Sequence, residues 1–182
     1  MASPGIREFD ALALFDELED KRQAEGLSWQ GAADAIWALS SELNRVRDAR
    51  GLANHPISPS TLTNIAKRGN TSCQHALFFL RWLERTPESF LAGGSPQDGA
   101  RLPDCGPDRR PRWDLKSLHA AVSEARGERQ LTWAAAGAEI GGKPGQLTGL
   151  KQASFATNMT LAMRITQWLE RPAADFVVPA RW

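Results

Sequence analysis

Nearly the same words occur twice in this chain. WLERTPESF runs from Trp82 to Phe90, and WLERPAADF runs from Trp168 to Phe176. The offset between them is 86 residues. Other blocks repeat in the same order. PSTLTNI (59–65) is answered by PGQLTGL (144–150), which keeps Pro59 as Pro144, Leu62 as Leu147 and Thr63 as Thr148. LSWQGAADAI (27–36) is answered by LTWAAAGAEI (131–140), and Phe9-Asp10 by Trp113-Asp114. A sequence that repeats its blocks in order encodes one structural unit twice, and this excludes most architectures for a chain of 182 residues. The early blocks are offset by 104 residues and the middle block by 85, so the first copy carries about 19 residues that the second lacks.

Between the copies lies AGGSPQDGARLPDCGPDRRPR (92–112), rich in Gly, Pro and charge and without apolar periodicity. That is the composition of a linker. The expected organisation is a first domain over 6–91 with an insertion at about 37–57, a linker over 92–112, and a second domain over 113–178.

Each copy reads as five helices. Leu115, Leu118, Val122 and Ala125 recur at helical spacing, as do Ala11, Leu14 and Leu18. Ser28 and Thr132 stand as N-caps before the second helix of each copy. Pro59 and Pro144 fall in the first turn of the third helix, where a missing N–H costs nothing. In the fourth helix Ala76, Leu77, Phe79, Leu80 and Leu83 are answered by Ala162, Met163, Ile165, Thr166 and Leu169. A short fifth helix follows and returns Phe90 or Phe176 to the core. No segment alternates like a strand, so the expected fold class is all-α. The Trp and Phe of the repeated words are core residues and carry no chemistry of their own.

LTWAAAGAEIGGKPGQLTGL is the informative stretch of the second copy. Gly137 sits four residues after the Trp and lets the next helix approach. The Gly pair after Ile140 permits a sharp turn. Pro144 restarts the helix, and Leu147 and Leu150 pack it back. Helix, tight turn and helix at this spacing, within a five-helix unit closed by WLER, resemble the phage-repressor and Cro-like (Xre) helix-turn-helix family. The resemblance covers most of both copies. It implies two tandem five-helix DNA-binding domains. In the first copy WALSSELNRVRDARGLANHPI (37–57) interrupts the short turn, which predicts a lengthened second helix followed by a loop.

The resemblance also implies that the third helix enters the major groove of double-stranded DNA by its N-terminal end. In the first copy that end offers Ser58, Ser60, Thr61 and Asn64, short polar groups able to read base edges. Lys67 and Arg68 follow, placed to hold phosphates. In the second copy the equivalents are Lys143, Gln146 and Lys151, while Gly149 stands where the first copy has Asn64. Glycine reads no base, so weaker readout is expected from the second copy. Two linked units imitate a repressor dimer and raise the effective concentration of the second unit.

Charge supports a local rather than a global surface. The net charge is +1. From Glu42 to Gly69 five Lys/Arg, including Arg45, Arg47 and Arg50, face two acids, whereas Glu8 to Glu25 holds seven acids against two basic residues. The acidic first helix is expected to turn away from nucleic acid. Both it and the 37–57 insertion are candidate surfaces for a protein partner.

Catalytic patterns do not appear. GGKPGQ lacks the spacing of a phosphate loop, and no nucleophile-elbow pattern occurs. Cys73 and His75 would point to different sides of a helix, with no second ligand pair for zinc. Cys73, beside apolar residues at a helix start, is expected to be a half-buried and inert thiol. The two cysteines do not make a disulfide framework. MASPGIREFD lacks the apolar core of a signal peptide, and no apolar window is long enough to span a membrane. The expectation is a cytoplasmic, sequence-specific DNA-binding protein of bacterial regulatory type, without cofactor, metal or enzymatic activity. The alternative is a protein-interaction module, or an antitoxin-like partner, that keeps the fold with weak or no DNA binding.

Overall fold

The computed structural model describes residues 5–152 and 157–182. The first four residues of the N-terminal stretch, and 153–156 of the second copy, lie outside the described residues. The first half contains α1 (Ala11–Ala24), α2 (Trp29–Ala38), α3 (Ser41–Ala49), α4 (Pro59–Arg68), α5 (Cys73–Leu83) and a 3-10 turn over Pro87–Phe90. The second contains α6 (Leu115–Glu128), α7 (Trp133–Ile140), α8 (Pro144–Gly149), a 3-10 turn over Leu150–Gln152, α9 (Met159–Trp168) and a 3-10 turn over Ala173–Phe176. The chain is mainly helical.

The repeat in sequence is a repeat in contacts. Asp10 and Asp114 cap α1 and α6, accepting from Ala13 N and Ser117 N. Ser28 and Thr132 cap α2 and α7 as the sequence predicts, accepting from Gly31 N and Ala135 N. Phe15 stacks on Trp29 at 5.4 Å, and His119 stacks on Trp133 at 5.5 Å. Arg22 lies 4.9 Å over Trp29 and Arg126 4.8 Å over Trp133. Each of these arginines donates to the carbonyl that ends its turn, Leu27 or Leu131. Glu84 and Glu170 both take positive φ at the end of the fourth helix. The final turns then return Phe90 and Phe176 to the core, 3% and 2% exposed.

The expectation of a purely helical chain is corrected by two short strands. β1 (Arg110–Trp113) pairs antiparallel with β2 (Val177–Ala180), with Trp113 opposite Val177 and Arg110 opposite Ala180. The first half has the same pairing in reduced form, as the isolated bridge between Phe9 and Leu91. Asp10 N donates to Phe90 O and Asp114 N to Phe176 O, both at 2.8 Å. Four residues containing a proline are too short to display a period of two, so the strands leave no trace in the sequence pattern.

The insertion also differs from expectation. α2 is not lengthened; it ends at Ala38, and α3 is a separate helix. α3 buries only Leu43, and its polar groups grip the chain between the halves. Glu42 N and Leu43 N donate to Pro107 O, and Ser40 Oγ donates to Arg109 O. Asn44 Oδ1 and Asn54 Oδ1 accept from Arg110, which lies 4.3 Å over Trp37. The end of the expected linker is therefore built into the fold, part strand and part docking site for α3.

The halves meet through their own equivalents. Ser72, the N-cap of α5, forms an antiparallel bridge with Asn158, the N-cap of α9. Cys73 N donates to Thr157 O at 3.0 Å, and Met159 N donates to Thr71 O at 2.9 Å. Ser72 pairs with its own repeat counterpart, and the two flanking bonds are repeat equivalents of each other, so a local two-fold axis passes between Ser72 and Asn158. Each half then sends its leading segment onto the fourth helix of the other. Arg7 N donates to Gln167 Oε1 and Gln167 Nε2 donates back to Arg7 O, and Glu8 pairs with Arg164. Reciprocally, Gln74 donates to Pro111 O, and Trp113 Nε1 to Cys73 O. The buried residues of both halves form one apolar cluster. At roughly 1.5–3 kcal/mol per buried large side chain against about 1 kcal/mol per hydrogen bond, that cluster stabilises the pairing. The bridge sets its register.

Candidate nucleic-acid interface

α4 begins where its residues dictate. Pro59 occupies the first turn and Ser58 caps it. The Ser58 hydroxyl lies 2.9 Å from Ser60 Oγ and 3.0 Å from Thr61 Oγ1, so three hydroxyls form one cluster at the helix start. Ser58 and Ser60 are exposed, and Thr61 and Asn64 are half-buried. Leu62 and Ile65 face inward, at 0% and 1% exposure. Lys67 and Arg68 are exposed in the last turn, and Gly69 closes the helix in the left-handed region, where a side chain would be strained. The six residues expected on this helix thus lie on it, hydroxyls at one end and cations at the other.

In the second half, α7 closes at Gly141 with φ 80° and the chain turns directly into α8. An added Cβ at Gly137 would stand 2.7 Å from the Gly142 carbonyl oxygen, so only glycine lets the turn pass this close. Lys143 has no acceptor with which to cap α8. Gln146 compensates, its Oε1 accepting from Lys143 N at 2.9 Å. Lys143, Gln146 and Lys151 are all exposed, and Gly149 presents no side chain. α8 is short, ending at Gly149, and Lys151 sits on the 3-10 turn that follows.

The structure adds Arg164 of α9, which the sequence reading did not single out. It stands at the repeat position of Phe78, and that exchange of an aromatic for a cation was the available signal. Arg164 donates to Gly141 O at 2.7 Å and pairs with Glu8 at 2.5 Å. With Lys143, Gln146, Asn158 and Thr160 it lines a cleft between the start of α8 and α9. Arg164 is already matched by Glu8, so Lys143 is the cation of this cleft that has no carboxylate partner among the described residues.

Both third helices lead to the two-fold bridge. Arg68, the last residue of α4, lies four positions before Ser72, and Gln152, the last of the 3-10 turn, lies six before Asn158. Arg45 and Arg50 of the insertion are exposed, whereas Arg47 is held by Ala53 O and Arg181 O. On α1, Glu17 pairs with Arg85, Glu19 with Arg22 and Glu25 with Lys21.

The remaining reactive groups are quiet. Cys73 is 4% exposed, and burial pushes its thiol up to about 12. Cys105 is shifted upward by the same cause. Among the described residues no three metal-ligating side chains gather, and no helix is long and apolar enough to cross a membrane. No family model, characterised protein or solved structure matches the chain.

Proposed function

We propose that the chain is a sequence-specific DNA-binding protein, a transcriptional regulator acting without catalysis, in which two helix-turn-helix units are held as a covalent pseudo-dimer. The observation that carries this reading is the bridge in which Ser72 pairs with Asn158, its own repeat equivalent. A two-fold axis between the third helices is the arrangement that lets two such helices reach half-sites about one helical turn apart, roughly 34 Å. In this reading Ser58, Ser60, Thr61 and Asn64 read bases. Lys67, Arg68, Lys143, Gln146 and Lys151 hold phosphates or supply weaker contacts. Because Asn64 is matched by Gly149, the two half-sites differ and the operator is not a palindrome.

The test is fluorescence anisotropy of labelled duplex at about 50 and 200 mM salt. Six or more phosphate contacts weaken binding on the order of a thousandfold across that range. After selection of a preferred site, Asn64→Ala relaxes specificity at one position by about 1–3 kcal/mol. The Lys67→Ala/Arg68→Ala variant instead weakens all sequences alike and flattens the salt slope. A folded protein that does not bind at the lower salt overturns the reading.

Two observations favour a second reading, a protein-interaction module of antitoxin-like character: the insertion interrupts the turn ahead of the first reading helix, and Gly149 leaves α8 without a counterpart of Asn64. Under that reading binding to random duplex is absent at low salt, and α1 or α3 is the partner surface.

A further inference from the structure

Large apolar side chains exposed on the described residues are few, and three of them stand among unpaired charges. Val46 is 36% and Leu52 46% exposed in a groove along α3, where four arginines (Arg45, Arg47, Arg50 and Arg181) outnumber two acids, Glu42 and Asp108. Arg47 is engaged by carbonyl groups and Arg181 by Asp108. Arg45 and Arg50 have no ion-pair partner among the described residues. The third is Leu12, 50% exposed on α1. Asp16 and Asp20 follow it at successive turns, so the three share one exposed stripe. These are the acids of α1 that no cation pairs, since Glu17, Glu19 and Glu25 are each matched.

The stripe and the groove are complementary in kind. One offers a leucine and two carboxylates, the other two apolar side chains and a net positive rim in which Arg45 and Arg50 are unpaired. The stripe and the apolar side chains of the groove belong to the first half alone. The repeat positions of Leu12, Asp16 and Asp20 are Lys116, Ala120 and Glu124, and the insertion has no counterpart in the second half. Stripe and groove are exposed and form no part of the bridge at Ser72 and Asn158, so they are available to something other than the internal pairing.

We propose that the protein self-associates head to tail, the Leu12–Asp16–Asp20 stripe of one copy seating in the α3 groove of the next. Two different surfaces meet, so the contact is heterologous and leaves one stripe and one groove free at the ends of every assembly. Growth is then open, or closes as a ring. The contact is small, and its ion pairs are screened by salt, so assembly is weak, concentration-dependent and strongest at low ionic strength. This inference does not rest on DNA binding and is tested without it.

The experiment is sedimentation velocity of the full chain over a concentration series at about 50 mM salt. Wild type forms assemblies beyond the dimer, and these dissociate as salt is raised. Leu12→Ser/Asp16→Asn and Arg45→Gln/Val46→Ser, neutral changes that create no new charge attraction, each leave a monomer. Mixing the two variants restores association but stops it at a one-to-one dimer, because one partner keeps only its groove and the other only its stripe. That dimer also demonstrates that both variants are folded. A wild type that stays monomeric at every concentration overturns the proposal. So does assembly lost in the groove variant but kept in the stripe variant, which would mean another occupant. Two monomeric variants that fail to pair overturn it as well.

Discussion

His119 occupies the place of Phe15 and behaves as an aromatic, stacked 5.5 Å from Trp133 with its planes 19° apart. His75 is likewise packed, 6.3 Å from the Phe79 ring. Burial, then the Arg112 charge, holds His75 below the usual histidine range; burial, then Lys151, does the same to His119. The native state therefore favours the neutral form of both rings. As the pH falls, the unfolded chain takes up these protons first, at the ordinary histidine value, and the native chain only at lower pH. Stability is thus fully present above the ordinary value and lost as the pH falls toward the native one. The urea midpoint is expected to drop between about pH 7.5 and 5.5. His75→Gln flattens part of that drop, leaving the share of His119. A variant whose midpoint falls as steeply as wild type would mean that His75 takes up its proton in the native state without cost.

At the scale of elements, the turn between α7 and α8 depends on Gly137 having no Cβ. Gly137→Ala pushes that atom to 2.7 Å from the Gly142 carbonyl oxygen and 3.4 Å from Pro144 N, both backbone atoms. The expected cost is about 1–3 kcal/mol, read as a fall in thermal midpoint. Gly127→Ala in α6 meets nothing within 4 Å and is expected to stabilise by ~0.5–1 kcal/mol. If both changes act alike, the close approach is not what the glycine serves. Elements of this kind were legible because their signals are local. Ser28, Thr132, Ser58, Pro59 and Pro144 mark helix starts, and Leu62 and Ile65 mark the buried face of α4. α3 was not legible as a separate helix because it buries only Leu43, and its place is set by Pro107, Arg109 and Arg110, far away in sequence. The strands were hidden for the same reason, their pairing joining residue 110 to residue 180. Within the candidate site the α4 side chains could be named from helical spacing. For Arg164 the exchange with Phe78 marked the position but not its role, because its partners, Glu8 and Gly141 O, come from different elements.

At the scale of the molecule, two units that already share a chain are also locked by a bridge of their own equivalents. A flexible tether alone would raise effective concentration but leave the mutual orientation of α4 and α8 free. The bridge removes that freedom, and it can be loosened selectively. Cys73 is the first residue of α5, and its N–H serves the bridge, donating to Thr157 O. Proline is tolerated at a first helical position, and Ser72, with φ −63° and ψ 148°, already has the backbone that must precede one. Cys73→Pro therefore deletes one of the two bridge bonds without breaking the helix. It leaves the carbonyl of Thr157, a residue 8% exposed, without its donor. The expected loss of stability is about 1–3 kcal/mol, with helical circular dichroism unchanged. Cys73→Ala keeps the N–H and serves as the control for the lost thiol. If the bridge presents two reading helices to one duplex, Cys73→Pro weakens binding to a two-half-site operator at least about tenfold. Binding to a duplex with one half-site stays as it was, and Cys73→Ala leaves both unchanged. Equal affinity of the proline variant for the full operator would mean that the units read DNA independently, and that the two-fold bridge serves the fold alone.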